Sequence, residues 1–114
     1  MAKFISVPRN VEAMYDDEYG QWNSDEHYVW YLNDEDISQL WEAFNLMNKM
    51  FEIIIDTYEA EEIFYQKLFF NREELFDKFN CFPCKEQVNK LKEMIDKAIE
   101  TKTLLSFHLQ FHTV

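Results

Sequence analysis

Glycine occurs once and proline twice in this chain of 114 residues, as Gly20, Pro8 and Pro83. Tight turns between many short strands draw on those residues, so their scarcity favours helices joined by polar connectors over a β-sandwich. A glycine-rich phosphate loop is excluded for the same reason. No apolar run approaches the roughly 20 residues that span a bilayer. The segment MAKFISVPRN carries no apolar signal-peptide core. Cysteine occurs only twice, and without a secretory signal a pair of thiols is expected to stay reduced in the cytoplasm.

Positive charge is also scarce. Eleven Lys and Arg stand against 22 Asp and Glu, a formal net charge of −11. No Lys or Arg occurs from Asn10 to Asn48, while Glu12, Asp16, Asp17, Glu18, Asp25, Glu26, Asp34, Glu35, Asp36 and Glu42 all lie there. Such a field repels nucleic acid and anionic membranes and attracts basic surfaces. Residues 85–102, by contrast, mix Lys85, Lys90, Lys92, Lys97 and Lys102 with four acids.

What the chain does contain is apolar bulk. Hydrophobic residues make up 47% and aromatics 18%, enough for one domain, residues 1–114, with its own core and no need of a metal or disulfide. Residues near 2–7 alternate weakly and end before Pro8, as a short strand does. Residues 10–26 read as a loop or short helix. HYVWYL (27–32) is β-branched and aromatic and predicts a second strand. Asn33 or Asp34 then caps a helix near 34–56, whose stripe runs Ile37, Leu40, Trp41, Phe44, Met47, Phe51, Ile54 and Ile55. FEIII (51–55) by itself is equally compatible with a strand.

Ile63, Phe64, Leu68 and Phe69 recur at helical spacing and predict a helix near 59–70. Asn71 to Glu74 resembles a capping box that opens another near 72–80. Val88, Leu91, Met94, Ile95, Ala98 and Ile99 mark a helix near 84–100. Leu105, Phe107, Leu109 and Phe111 alternate with polar residues, predicting a strand near 104–112. The expected architecture is α+β, a small sheet of about three strands packed against three or four helices.

Cys81-Phe82-Pro83-Cys84 has the spacing of a redox dithiol or half a zinc site. The redox reading conflicts with a motif that follows a helix and has little chain beyond it. The zinc reading would add His108 and His112, but the interval from Cys84 to His108 is about twice that of classical fingers. On a strand, moreover, the two histidines would lie about 13 Å apart. The plain alternative is a helix–turn–helix connection in which Cys acts as a small buried hydrophobe and Pro83 sits in the first turn of the next helix. HLQFH (108–112) lacks the glutamate of a zincin, and the Asp-rich calcium loop and the Gly-x-Ser-x-Gly elbow are missing. Neither cofactor nor metal is expected. His27, in an aromatic strand, reads as a core or surface histidine rather than a base.

The remaining signal lies in residues 12–36, where acids without bases interleave with Tyr15, Tyr19, Trp22, Tyr28, Trp30 and Tyr31. Tyr and Trp dominate binding hot spots, and surrounding carboxylates steer a basic partner. The candidate partner-binding residues are Glu12, Tyr15, Asp16, Asp17, Glu18, Tyr19, Trp22, Asp25, Glu26, Asp34, Glu35 and Asp36. The expectation is a non-enzymatic inhibitory protein that neutralises a basic protein partner, foremost a bacterial immunity protein blocking a nuclease-type toxin. A phage-encoded inhibitor or nucleic-acid mimic acting on a host defence nuclease or polymerase is the alternative. A metal-binding or thiol-redox protein centred on the Cys/His set is a further one.

Overall fold

The computed structural model describes residues 3–18, 22–56 and 60–109, with backbone alone for Asp17 and Glu18. Among these residues the elements run β1 (Lys3–Pro8), α1 (Val11–Glu18), a 3-10 turn (Ser24–Glu26), β2 (His27–Leu32), α2 (Asp34–Phe51), β3 (Glu61–Phe64), α3 (Tyr65–Phe79), α4 (Lys85–Thr101) and β4 (Leu104–His108). The strands form one antiparallel sheet in the order β2-β1-β4-β3. The α+β architecture is therefore the one the sequence predicts, with one strand more. No helix among the described residues is long and apolar enough to cross a membrane.

Alternation divides each strand between two faces. Ile5, Val7, Trp30, Leu32, Ile63, Leu105 and Phe107 point into the core. There they meet Leu40, Phe44 and Met47 of α2, Leu68, Leu75 and Phe79 of α3, and Leu91, Ile95 and Ala98 of α4. Phe44 meets Phe107 edge-on, with centroids 5.6 Å apart. Each Val, Leu, Ile, Phe or Met among them contributes on the order of 1.5–3 kcal/mol when fully buried. The helices α2, α3 and α4 thus cover one face of the sheet.

Local rules explain the helix ends. Of the two expected caps, Asn33 is the one that closes α2: its Oδ1 accepts from the Asp36 N–H at 2.8 Å, and Asp36 Oδ2 accepts from the Asn33 N–H at 3.1 Å. With glycine so scarce, α2 and α4 end on non-glycine residues in the left-handed region, Glu52 at φ 56° and Lys102 at φ 57°. The next N–H in each case, on Ile53 and Thr103, returns to the carbonyl of Asn48 or Ala98 at 3.1 Å, as in a Schellman motif.

Several expectations are corrected. The helix expected near 59–70 is a strand over Glu61–Phe64 followed by a single helix, Tyr65–Phe79, which also absorbs the one expected near 72–80. The strand forms because β4 offers it a ladder, from Glu61 opposite Phe107 to Phe64 opposite Leu104. Asn71 opens no helix; it lies within α3, and its Nδ2 donates to the Lys67 carbonyl at 2.9 Å. α2 stops at Phe51, so FEIII is neither strand nor continued helix, and Asn48 Oδ1 accepts the Ile55 N–H at 2.7 Å. Trp41 and Ile54 are exposed rather than part of the buried stripe. β4 ends at His108, and residues 110–112 of the expected strand lie outside the described residues.

Candidate functional site

The face of the sheet turned away from α2–α4 carries its own side chains in cross-strand rows. One row runs Tyr31–Phe4–His108, the next Val29–Ser6–Ser106–Glu62. Phe4 lies between aromatic neighbours: His108 stacks on it at 4.5 Å and 19°, and Tyr31 tilts against it at 5.8 Å. Trp22 comes over this row, 5.3 Å from Phe4 and 4.8 Å from His27. His27 is buried under it, and its Nδ1–H donates to the Asn23 carbonyl at 2.7 Å. Tyr31 is 59% exposed and Trp22 37%, so the platform is half open.

Beside this row is a cleft of about 370 Å³ lined by Phe4, Trp22, Ala60, Glu62, Ser106 and His108. Ser106 Oγ and His108 Nε2 share a hydrogen bond of 2.8 Å. A hydroxyl–imidazole pair can begin a nucleophilic site, but Ser106 is only 6% exposed and its strand is paired on both sides. That burial fits a role in holding the imidazole ring in place. Ser6, opposite Ser106, has a buried Oγ with no hydrogen-bond partner.

The acids fall into two groups. Glu12 and Asp16 lie on α1, which is opened by Asn10 Oδ1 accepting the Ala13 N–H at 2.8 Å and packs against β1 through buried Ala13. Asp25 and Glu26 form the 3-10 turn just after Trp22. Glu12, Tyr15 and Asp25 are exposed, while Asp16 and Glu26 are half-buried. Asp34, Glu35 and Asp36 stand instead at the start of α2, where the helix dipole favours anions. Asp34 pairs with Lys3 at 3.2 Å, Glu35 accepts from Gln39 at 3.3 Å, and Asp36 completes the capping box. The side chains of Asp17 and Glu18, and Tyr19 beyond its place in the sequence, lie outside the described residues.

The aromatic set expected from residues 12–36 is also divided. Tyr28 and Trp30 face the helices and lie beneath bases: Arg9 at 4.3 Å and Lys97 at 4.5 Å over Tyr28, Lys90 at 5.6 Å over Trp30. The bases missing from the acidic segment are thus supplied in space by Arg9 and α4. Along β2 a second cleft of about 450 Å³ has mixed charge, with Asp36, Glu86 and Lys90 on its walls.

Cys81 and Cys84 sit in the turn between α3 and α4, both as free thiols. Cys81 is exposed and Cys84 half-buried, so neither is the buried hydrophobe expected. Pro83 precedes α4 rather than entering its first turn. The turn is held by Lys85 Nζ, which donates to the Asn80 carbonyl at 2.5 Å, and Lys92 Nζ, which donates to Asn80 Oδ1 at 2.6 Å. Among the described residues no group of three or more His, Cys, Asp or Glu is arranged to hold a metal ion; His112 lies outside them.

A surface that sequence reasoning missed is on α3. Phe69 is 69% exposed and Phe70 86%, with Phe64 half exposed at the helix entry. Leu68, Leu75 and Phe79 set the buried stripe, and at 3.6 residues per turn Phe69 and Phe70 fall about 100° and 200° from Leu68. The spacing Leu68, Leu75 and Phe79 already excludes Phe69 and Phe70; a stripe that also takes in Ile63 and Phe64 mixes residues of β3 with those of the helix.

Compared with protein-family models, with curated proteins and with solved structures, the chain matches none.

Proposed function

We propose that the protein is a non-enzymatic inhibitor that binds a basic protein partner through the open face of its sheet. The observation that carries this reading is the aromatic row Tyr31–Phe4–His108 under Trp22, which the acidic 3-10 turn Ser24–Glu26 follows directly in the chain, in a stretch that contains acids and no Lys or Arg. Exposed Tyr and Trp supply contact area at low entropic cost, and the flanking carboxylates steer a cationic surface into register. Steering of this kind raises association rates towards about 10⁸ M⁻¹s⁻¹ at low salt, which suits an inhibitor that must act before its target does damage. An immunity protein that blocks a nuclease-type toxin in the cytoplasm of the producing cell is the reading we favour. A phage-encoded inhibitor of a host nuclease or polymerase would use the same chemistry.

Affinity capture from a bacterial lysate, followed by an activity assay on the captured protein, tests the proposal. The expected partner is basic, is released by salt, and loses its enzymatic activity when the purified inhibitor is added. A partner that is acidic, bound independently of salt, or uninhibited would overturn the reading.

A further inference from the structure

β2 is an edge of the sheet, and its outer side carries none of the usual guards against further pairing. Among the described residues its one neighbouring strand is β1, matched residue by residue from Lys3–Leu32 to Pro8–His27 with no bulge. Its six residues, HYVWYL, include no Asp, Glu, Lys, Arg or Pro. The opposite edge, β3, has only four residues, and two of them are glutamates. Edge strands are commonly shielded by charge, proline, bulges or shortness, because their unpaired N–H and C=O groups template another strand. The direction of those groups follows from the ladder. The Arg9 N–H donates to the Glu26 carbonyl at 2.9 Å, so in the same register Val7–Tyr28, Ile5–Trp30 and Lys3–Leu32 are the hydrogen-bonded pairs. The N–H and C=O groups of Val29 and Tyr31 therefore point away from β1, to the outer edge.

The cleft of about 450 Å³ opens along this edge, with Trp30 from the strand, Asp36 from α2 and Glu86 and Lys90 from α4 on its walls. On the other face Tyr31 ends the row Tyr31–Phe4–His108. An added strand would place alternate side chains in the cleft and beside Tyr31. Charge selects the occupant. Asp25 stands exposed before the strand and Glu35 exposed after it. A second copy pairing through β2 across a two-fold axis would set the acids at one end against those at the other, with a net charge of −11 on each chain. A segment with an uncharged centre and Lys or Arg at both ends meets the same acids favourably. We infer that the basic partner adds an extended segment of this kind to the outer edge of β2. Main-chain hydrogen bonds at Val29 and Tyr31 give affinity, and the flanking bases fix the register. This inference rests on the proposed function and deepens it, because it names the part of the partner that docks and the strand it joins.

NMR titration with the synthetic peptide acetyl-KKTVTVTKK-amide tests the inference. Saturable shifts centred on Val29, Trp30 and Tyr31 are expected, with slowed hydrogen exchange at the Val29 and Tyr31 amides. The acidic analogue acetyl-EETVTVTEE-amide, and the basic peptide N-methylated throughout its uncharged centre, should each bind about tenfold more weakly or worse. Val29→Pro removes an outward donor without disturbing the β1 ladder and should weaken the basic peptide about tenfold. Val29→Lys keeps every backbone group and should weaken it roughly two- to fivefold by like charge, so a proline variant that fails to fold leaves the inference testable. Equal binding of the acidic or methylated peptide, or shifts confined to another surface, would overturn it. So would protection of the same amides that grows with protein concentration alone, together with a doubled mass in sedimentation, because a second copy would then occupy the edge. Failure of the two ideas is distinguishable. A basic partner that is inhibited equally well by Val29→Pro removes the added strand and leaves the function. Selective binding of the basic peptide along β2 by a protein that inhibits no basic partner removes the function and leaves the edge site.

Discussion

Lys3 Nζ and Asp34 Oδ1 lie 3.2 Å apart, the lysine side chain 11% exposed and the aspartate 94%. A carboxylate within the acidic stretch is thus already committed to a base from β1. Glu12 on α1 lies exposed. The acids of residues 12–36 are therefore not equivalent. The double variant Glu12→Lys, Asp16→Lys is expected to slow association with the basic partner about tenfold or more at low salt, with the difference fading at high salt. Asp34→Asn should change that rate much less. Stopped-flow association at two ionic strengths measures both.

Asp36 acts as part of a helix cap, so its loss should appear in stability before binding. Asn33→Ala removes the acceptor for the Asp36 N–H and is expected to cost about 1 kcal/mol, read as a lower urea midpoint at constant slope. An unchanged midpoint would mean that the box contributes nothing in solution.

Lys102 ends α4 at φ 57°, a conformation that glycine adopts freely and residues with a Cβ do not. Lys102→Gly relieves that cost but raises the entropy of the unfolded chain. The net expectation is a gain of about 0.5–1 kcal/mol, measured by thermal or urea unfolding. Lys102→Ala keeps the Cβ and should show no such gain.

Arg72 bridges α3 to α4, its Nε donating to Asp96 Oδ1 at 2.6 Å and its Nη2 to Oδ2 at 3.0 Å. Both side chains are over two-fifths exposed, so solvent screens the pair and Arg72→Ala is expected to cost about 1 kcal/mol, including the stack on Phe76. The hydrogen bond to Asp96 pushes the Arg72 pKa upward. A raised pKa contributes stability that is present below the unfolded value and is lost only as pH rises through the folded one. Arg72 should therefore add no pH dependence to unfolding between neutral pH and moderate alkali, and strong salt should shrink the Arg72→Ala effect.

Phe79 and Phe70 share a helix and a residue type but not a fate. Phe79 is fully buried and Phe70 is 86% exposed. Phe79→Ala is expected to cost about 3–5 kcal/mol, whereas Phe70→Ser should stay within about 0.5 kcal/mol. Parallel denaturant curves compare them, and a large loss at Phe70 would mean that the ring packs in solution.

Much of the fold was legible in short-range patterns. β2 is bounded as HYVWYL suggests, and α4 carries the apolar stripe expected of it, because alternation and a 3.6-residue period are local properties. β3 was not legible. Glu61–Phe64 can continue a helix or form a strand, and the choice falls to a partner strand far along the chain. The platform was half legible for a similar reason: composition named Trp22 and Tyr31, but not Phe4, Glu62, Ser106 or His108, which join them only through the β1–β4 and β3–β4 ladders.

By itself the sequence determined the α+β class, a helix start capped at Asn33 or Asp34, a helix near 84–100 and a net negative charge concentrated before residue 49. These depend on residue type and spacing within a few turns. Tertiary structure alone decided which acids remain outward, which aromatics lie beneath Arg9 and the lysines of α4, and which residues line the cleft beside Phe4. Those outcomes depend on strand register and on the side of the sheet that the helices cover, and neither is a property of any short stretch of chain.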